Sequence, residues 1–243
     1  LSGGGSLTLE PIGSGSVVHS GPGTTTFDVA TEVFGTAFNL SGGTLAGTGN
    51  ITVDGAFNWS GSAVDVRGTG TLTTNGTSTL TSGSAGVRLT GGRLWVNNGS
   101  AALTGGHLSI NDGSTFTNAG TFTVTTNDSD NIGMDSNAVG TNTFNNSGTL
   151  NWNTGVVNGI SAVSAFNNTG TVNVDSGTLR IAAGGTDTGV YAVDAPATLN
   201  FANGTRNLDA GSNVTGAGTV AFTGATVNVG NAYSPATTAI SAG

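Results

Sequence analysis

Along this chain the apolar residues fall two apart in short runs. The pairs are Leu7/Leu9, Ile51/Val53, Leu94/Val96, Leu108/Ile110, Phe122/Val124, Leu150/Trp152, Val172/Val174, Leu179/Ile181, Val220/Phe222 and Val227/Val229. Side chains two apart share one face of a strand, so this spacing predicts strands and not helices. Many runs close on a turn pair, as at Asp54-Gly55, Asn75-Gly76, Asn98-Gly99, Asp112-Gly113 and Asn203-Gly204. There Asn or Asp tolerates a left-handed backbone and Gly adopts it freely. Lysine is absent and the only glutamates are Glu10 and Glu32, so no window has the composition of a stable surface helix.

The short strands belong to repeats. Phe116-Thr-Asn-Ala-Gly-Thr-Phe-Thr-Val124, Phe144-Asn-Asn-Ser-Gly-Thr-Leu-Asn-Trp152 and Phe166-Asn-Asn-Thr-Gly-Thr-Val-Asn-Val174 are copies of one unit, 28 and then 22 residues apart. Gly47-Thr-Gly-Asn-Ile-Thr-Val-Asp-Gly55 recurs as Gly68-Thr-Gly-Thr-Leu-Thr-Thr-Asn-Gly76 and again from Gly216 to Gly224. Phe38-Asn-Leu-Ser-Gly and Phe57-Asn-Trp-Ser-Gly are 19 apart. A hairpin meander has no reason to repeat one unit at a near-constant period of roughly 19–23 residues, whereas a solenoid stacks each coil on the last and aligns equivalent residues in ladders. The expected fold is therefore all-β, a parallel β-helix of roughly 11–12 coils and about 55 Å at the spacing of neighbouring strands. Residues 1–230 are expected to form one domain, with residues 125–143 a loop excursion. Residues 231–243 are expected as a linker, a cap or a donated strand.

Composition narrows the function. Glycine accounts for 43 of 243 residues and charged residues for 7%, against about 25% charged in an ordinary globular domain. Such a chain is poorly equipped for catalysis, and the expectation is a protein that is not an enzyme. Without cysteine there is no disulfide framework and no thiolate metal site. Five arginines against a net charge of −8 argue against nucleic acid, which is bound through clustered cations. No apolar run approaches the ~20 residues of a helical membrane span. The chain begins without Met, basic segment or apolar segment, as a mature product or internal excerpt would.

Units such as Leu40-Ser-Gly-Gly-Thr-Leu-Ala-Gly-Thr-Gly-Asn-Ile-Thr-Val53 and Phe166-Asn-Asn-Thr-Gly-Thr-Val-Asn-Val-Asp-Ser-Gly-Thr-Leu179 resemble the repeats of bacterial surface proteins of the autotransporter-passenger and filamentous-haemagglutinin type. The likeness runs from about Phe38 to Gly230. It implies a right-handed parallel β-helix on or outside the cell, serving as an adhesin, stalk or matrix fibre. The expected function is an extracellular structural rod or fibre subunit that associates end to end. The alternative is a glycan-binding adhesin segment, with a polysaccharide-active enzyme or an ice-binding protein further behind.

Individual residues add candidate chemistry. Polysaccharide-active enzymes need carboxylates that converge on one face, but Asp54 occupies the repeat position of Asn75, and Asp112 aligns with Asn98 in Leu-Thr-Gly-Gly units. Both read as turn residues, and neither His19 nor His107 lies near a nucleophile motif. Asp128, Asp130 and Asp135 could supply oxygen ligands to Ca²⁺, the one cofactor the sequence suggests; the plainer reading is a solvated polar loop. If Leu94 and Val96 point inward, Arg93 and Trp95 point outward. His107 then takes the position equivalent to Arg93, and Arg88 lies close by. Trp stacks on sugar rings and Arg pairs with carboxylate or sulfate, so Arg88, Arg93, Trp95 and His107 form the candidate ligand patch. Thr-x-Thr pairs at Thr71/Thr73 and Thr121/Thr123 suggest an ice-binding array, but adjacent repeats do not preserve them.

Overall fold

The computed structural model describes residues 16–28, 31–128, 132, 133, 135 and 138–241. Alternating apolar residues and glycine corners produce short strands that turn sharply every four to six residues, three to a coil. In one coil Ala56–Gly61, Val64–Arg67 and Thr71–Thr74 form the first, second and third faces. The chain then returns to the first face as Thr77–Ser82, which pairs in parallel with Ala56–Gly61. Val87–Thr90 lies likewise on Val64–Arg67, and Leu94–Asn97 on Thr71–Thr74. Repetition of this step builds a β-solenoid of about 10 turns, a rod of about 50 Å at the strand spacing. No helix occurs among the described residues. The predicted strand at Leu7/Leu9 lies outside them.

Two stretches outside the regular repeat also pair into the ladder. Within residues 125–143, Ile132–Gly133 pairs with Leu108 and Ser109 on one side, and Ile132 pairs with Ile160 on the other. Ile132 is fully buried, so this long interval keeps a rung on the second face. Ala232–Ile240 pairs with Asn213–Phe222 along two faces and so adds a rung to the same ladder.

The interior is a set of columns. Trp95, Phe116, Phe144 and Phe166 stack in register along the third face, with ring centroids 4.2, 5.0 and 5.0 Å apart. Beside them runs a buried amide ladder, in which Asn97 Nδ2 donates to Asn118 Oδ1, Asn118 to Asn146 and Asn146 to Asn168, each at 2.8 Å. The main-chain carbonyl of each ladder residue accepts two N–H groups from the corner of the next coil, as Asn97 does from Ala119 and Gly120 at 2.8 Å. The adjacent glycine is required by close approach: a Cβ on Gly120 would collide with the carbonyl oxygen of Gly99, and Gly148 and Gly170 repeat the conflict one coil apart. The Phe-x-Asn-x-Gly-Thr unit is thus a corner whose Phe, Asn and Gly are each specified by the coil above or below.

Candidate functional site

The proposed ligand patch does not exist as a surface. Trp95 and Arg93 are both 0% exposed, while Leu94 and Val96 take the half-buried outward positions. Trp95 points inward because it belongs to the Phe116 column, and Asn97 completes the strand as a member of the amide ladder. Its indole Nε1 donates to Thr74 Oγ1 at 3.1 Å. The signal was present in the sequence: Trp95-Val-Asn97-Asn-Gly99 has the spacing of Phe116-Thr-Asn118-Ala-Gly120. The inward alternation Leu94/Val96 was the wrong choice between two apolar faces.

Arg93 fills a corner instead of facing solvent. Its Nη1 donates to Gly49 O at 3.0 Å, and its Nη2 to Gly47 O at 2.9 Å and Arg67 O at 2.8 Å. One guanidinium thereby ties together three coils. Burial lowers its pKa to about 10, still well above neutrality, so it binds the carbonyls as a cation. His107 is not its counterpart. It lies at the corner leading to the second face, where its carbonyl accepts from Val87 N at 3.0 Å and its ring packs over Gly86. The Leu-Thr-Gly-Gly units of Leu89 and Leu103 therefore occupy different corners, which also separates Asp112 from Asn98.

Of the three candidate metal ligands, Asp128 and Asp135 lie among the described residues. Asp135 uses one carboxylate oxygen to accept from Ser109 Oγ at 2.7 Å and the other from Asn111 Nδ2 at 2.9 Å. Asp128 sits where its main-chain carbonyl accepts from Asn158 Nδ2 at 3.1 Å, and Asp130 lies outside the described residues. Among the described residues no group of three metal-binding side chains comes together.

What the structure does bring together is Arg88 and Asp135. Both line a depression of about 300 Å³ on the second face, with Asp65, Arg67, Thr90, Asn111, Asp112 and Ala138. The strand Val64–Arg67 presents Asp65 and Arg67 outward because Val64 and Val66 are the buried alternates. One coil on, Val87–Thr90 buries Val87 and Leu89 and presents Arg88, in register with Asp65. Arg88 Nε donates to Asp65 Oδ1 at 2.6 Å, with the Arg88 side chain 30% exposed. The next coil supplies Asn111 and Asp112 just past Leu108–Ile110. Asp112 is held in a left-handed backbone at φ 56°, and its Oδ1 accepts from Val139 N at 3.3 Å. Asp135 N donates to Asn111 Oδ1 at 3.0 Å, pinning the far wall. Arg67 is exposed and makes no side-chain hydrogen bond or ion pair among the described residues.

Five of the chain's few charged residues thus converge on one concavity. Asp65, Arg67 and Asp112 were not singled out from sequence as ligand residues. The available signal was Asp65-Val-Arg67 followed one coil later by Arg88, a charge cluster at the repeat period. Comparisons of the chain with protein-family models, curated proteins and solved structures return no match.

Proposed function

We propose that the chain is a structural, non-enzymatic segment of an extracellular β-solenoid rod, of the kind present in the bacterial surface and matrix proteins that its repeats resemble. The observation that carries this reading is the continuity of the ladder. Aromatic, amide and glycine columns run through successive coils, and nearly every distinctive residue, including Trp95 and Arg93, serves the joint between one coil and the next. A chain so arranged supplies length and stiffness and needs no cofactor. Its favoured partner is a second copy stacked end to end, because the parallel edge that joins coil to coil is the same at every step. The placement outside the cell rests on the resemblance of the repeats, with which the lack of cysteine is compatible.

Negative-stain imaging with sedimentation across a concentration series tests this reading. Filaments with an axial repeat of about 50–60 Å are expected. Monomeric short rods at every concentration would remove end-to-end association, and a compact particle without a long axis would remove the rod.

A second reading, a binding module on the same rod, is favoured by the charged depression on the second face. It does not involve Trp95, Arg93 or His107.

A further inference from the structure

The depression has two poles. Arg67 and Arg88 stand at one end, together with the Asp65 carboxylate that pairs with Arg88, and Asp112 and Asp135 at the other, with Thr90 and Asn111 between them. From the coil of Arg67 to that of Asp135 is three steps along the rod, roughly 14 Å. Arg67 has an uncommitted guanidinium, and Arg88 has spent only its Nε on a carboxylate, its Nη2 reaching Ala63 O at 3.4 Å. At the opposite pole each carboxylate oxygen that already accepts one hydrogen bond keeps a second lone pair, and Asp112 Oδ2 has no partner among the described residues.

We propose that this depression binds an acidic oligosaccharide lengthwise along the rod, with a carboxylate or sulfate group on Arg67 and Arg88 and hydroxyl groups on Thr90, Asn111, Asp112 and Asp135. The inference rests on the binding-module reading and names its ligand class. Guanidinium forks select planar or tetrahedral oxyanions by paired N–H donation. A bare inorganic anion would satisfy only the basic pole and leave the acceptors of Asp112 and Asp135 without donors. A neutral sugar would leave Arg67 unused. A peptide would find no apolar pocket for its side chains, since the lining is polar except for Ala138. A ligand with an acid at one end and hydroxyls at the other matches both poles, and carboxylates accept from sugar hydroxyls by charge-assisted hydrogen bonds.

The test is calorimetric titration of the whole chain with a trisaccharide carrying a single terminal uronate, the methyl ester of that trisaccharide, a trisaccharide carrying a single terminal sulfate, and sodium sulfate alone. The uronate or the sulfated trisaccharide is expected to bind, and which of the two binds more tightly identifies the acid. The esterified compound is expected to bind at least tenfold more weakly, as is the acidic trisaccharide to Arg67→Ala. Asp112→Asn should weaken binding severalfold, and Arg180→Ala, on the same face outside the depression, should leave it unchanged. Arg67→Ala should melt with the parent chain, because Arg67 is exposed and unpaired. Equal affinity for sulfate ion and acidic trisaccharide would overturn the saccharide assignment, as would binding indifferent to Arg67→Ala. Binding of only the esterified compound, unaffected by Arg67→Ala, would overturn the acid requirement while keeping the binding module. No binding of any saccharide at millimolar concentration would overturn both.

Discussion

Asn118 shows how much one small side chain does in this fold. Its Oδ1 accepts from Asn97, and its Nδ2 donates to Asn146 Oδ1 and to Thr149 O at 2.9 Å, so a single amide spans three coils with no exposure to solvent. Leucine has the same branched heavy-atom skeleton, with bulkier methyl groups, but neither function. Asn118→Leu would leave Asn146 Oδ1 and Thr149 O without these donors and Asn97 Nδ2 without this acceptor, at about 1–3 kcal/mol for each buried group left unsatisfied. The expected outcome is a large fall in the urea midpoint, and an unchanged midpoint would show that the amide ladder contributes no stability. The corner ladder was legible in the sequence, because Asn and Gly recur at fixed places in the repeat. Trp95 was legible only through that same repeat, because Leu94-Trp95-Val96 is apolar on both alternations and period-two spacing cannot choose between them. Arg93 was assigned to the surface by the same rule of alternation, from Leu94 and Val96 read as inward. Backbone carbonyls left open at a solenoid corner are the partners that rule overlooks.

At the level of the strand, the ladders end on a polar cluster. Above Phe166 the aromatic column meets Gly185 and then Arg206, and above Asn168 the amide column meets Asp187. Because Gly185 has no side chain, the Arg206 guanidinium can lie over the Phe166 ring, 5.3 Å from its centroid, and pair with Asp187 at 2.5 Å. Tyr191 Oη donates to Asp187 at 2.9 Å, and all three side chains are fully buried. Removing one member of a buried ion pair leaves the other charge uncompensated, so Arg206→Leu is expected to cost about 3–5 kcal/mol. Adding Asp187→Leu should recover much of that loss, since the next residue of the column is already Leu208; a double variant no better than the single would show that the pair does more than cancel its own charge. Where chain corners carry like charges the balance reverses. Asp175 and Asp194 follow the paired residues Val174 and Val193, and partial burial together with the Asp194 charge raises the Asp175 pKa. A carboxyl whose folded value lies above its unfolded value disfavours folding once ionised. The cost is absent below the unfolded value and appears as pH rises through the folded one. Asp175→Asn should therefore stabilise the chain at pH 7 by no more than about 0.5 kcal/mol, since both groups are solvent-screened, and the gain should vanish near pH 3. Urea midpoints at the two pH values check this, and an equal gain at both would mean that charge is not its cause. Strands and corners were readable from alternation and turn pairs. The rung at Ile132 was not, because one buried residue between two polar stretches carries no period.

For the whole molecule the depression was the least legible feature. Its residues are spread from Asp65 to Ala138, and they meet only because the coil period places Arg88 on Asp65 and Asn111 beside Asp135. The same one-dimensional stacking governs how the rod opens. Every coil away from the ends is held by two neighbours, so opening it breaks two interfaces at once, and stability is a sum over coils and their joints. Trypsin can report this, because the chain has five arginines and no lysine. Arg93 and Arg206 are buried. Arg67, Arg88 and Arg180 lie in strands paired on both sides, Val64–Arg67 with its neighbours at residues 44–45 and 87–90, Val87–Thr90 at 64–67 and 108–110, and Thr171–Asp187 at 157–161 and 198–201. Cleavage requires a segment that has left the ladder, so in the absence of denaturant the folded chain should remain intact while the urea-unfolded chain is cut at all five sites. Across a urea series the fraction cleaved should follow the same midpoint as the loss of β-structure by circular dichroism, because no internal coil opens without its neighbours. Cleavage well below that midpoint would mean that single coils open alone. In that case the ladders would not couple the coils, and the chain would lack the stiffness that a structural rod requires.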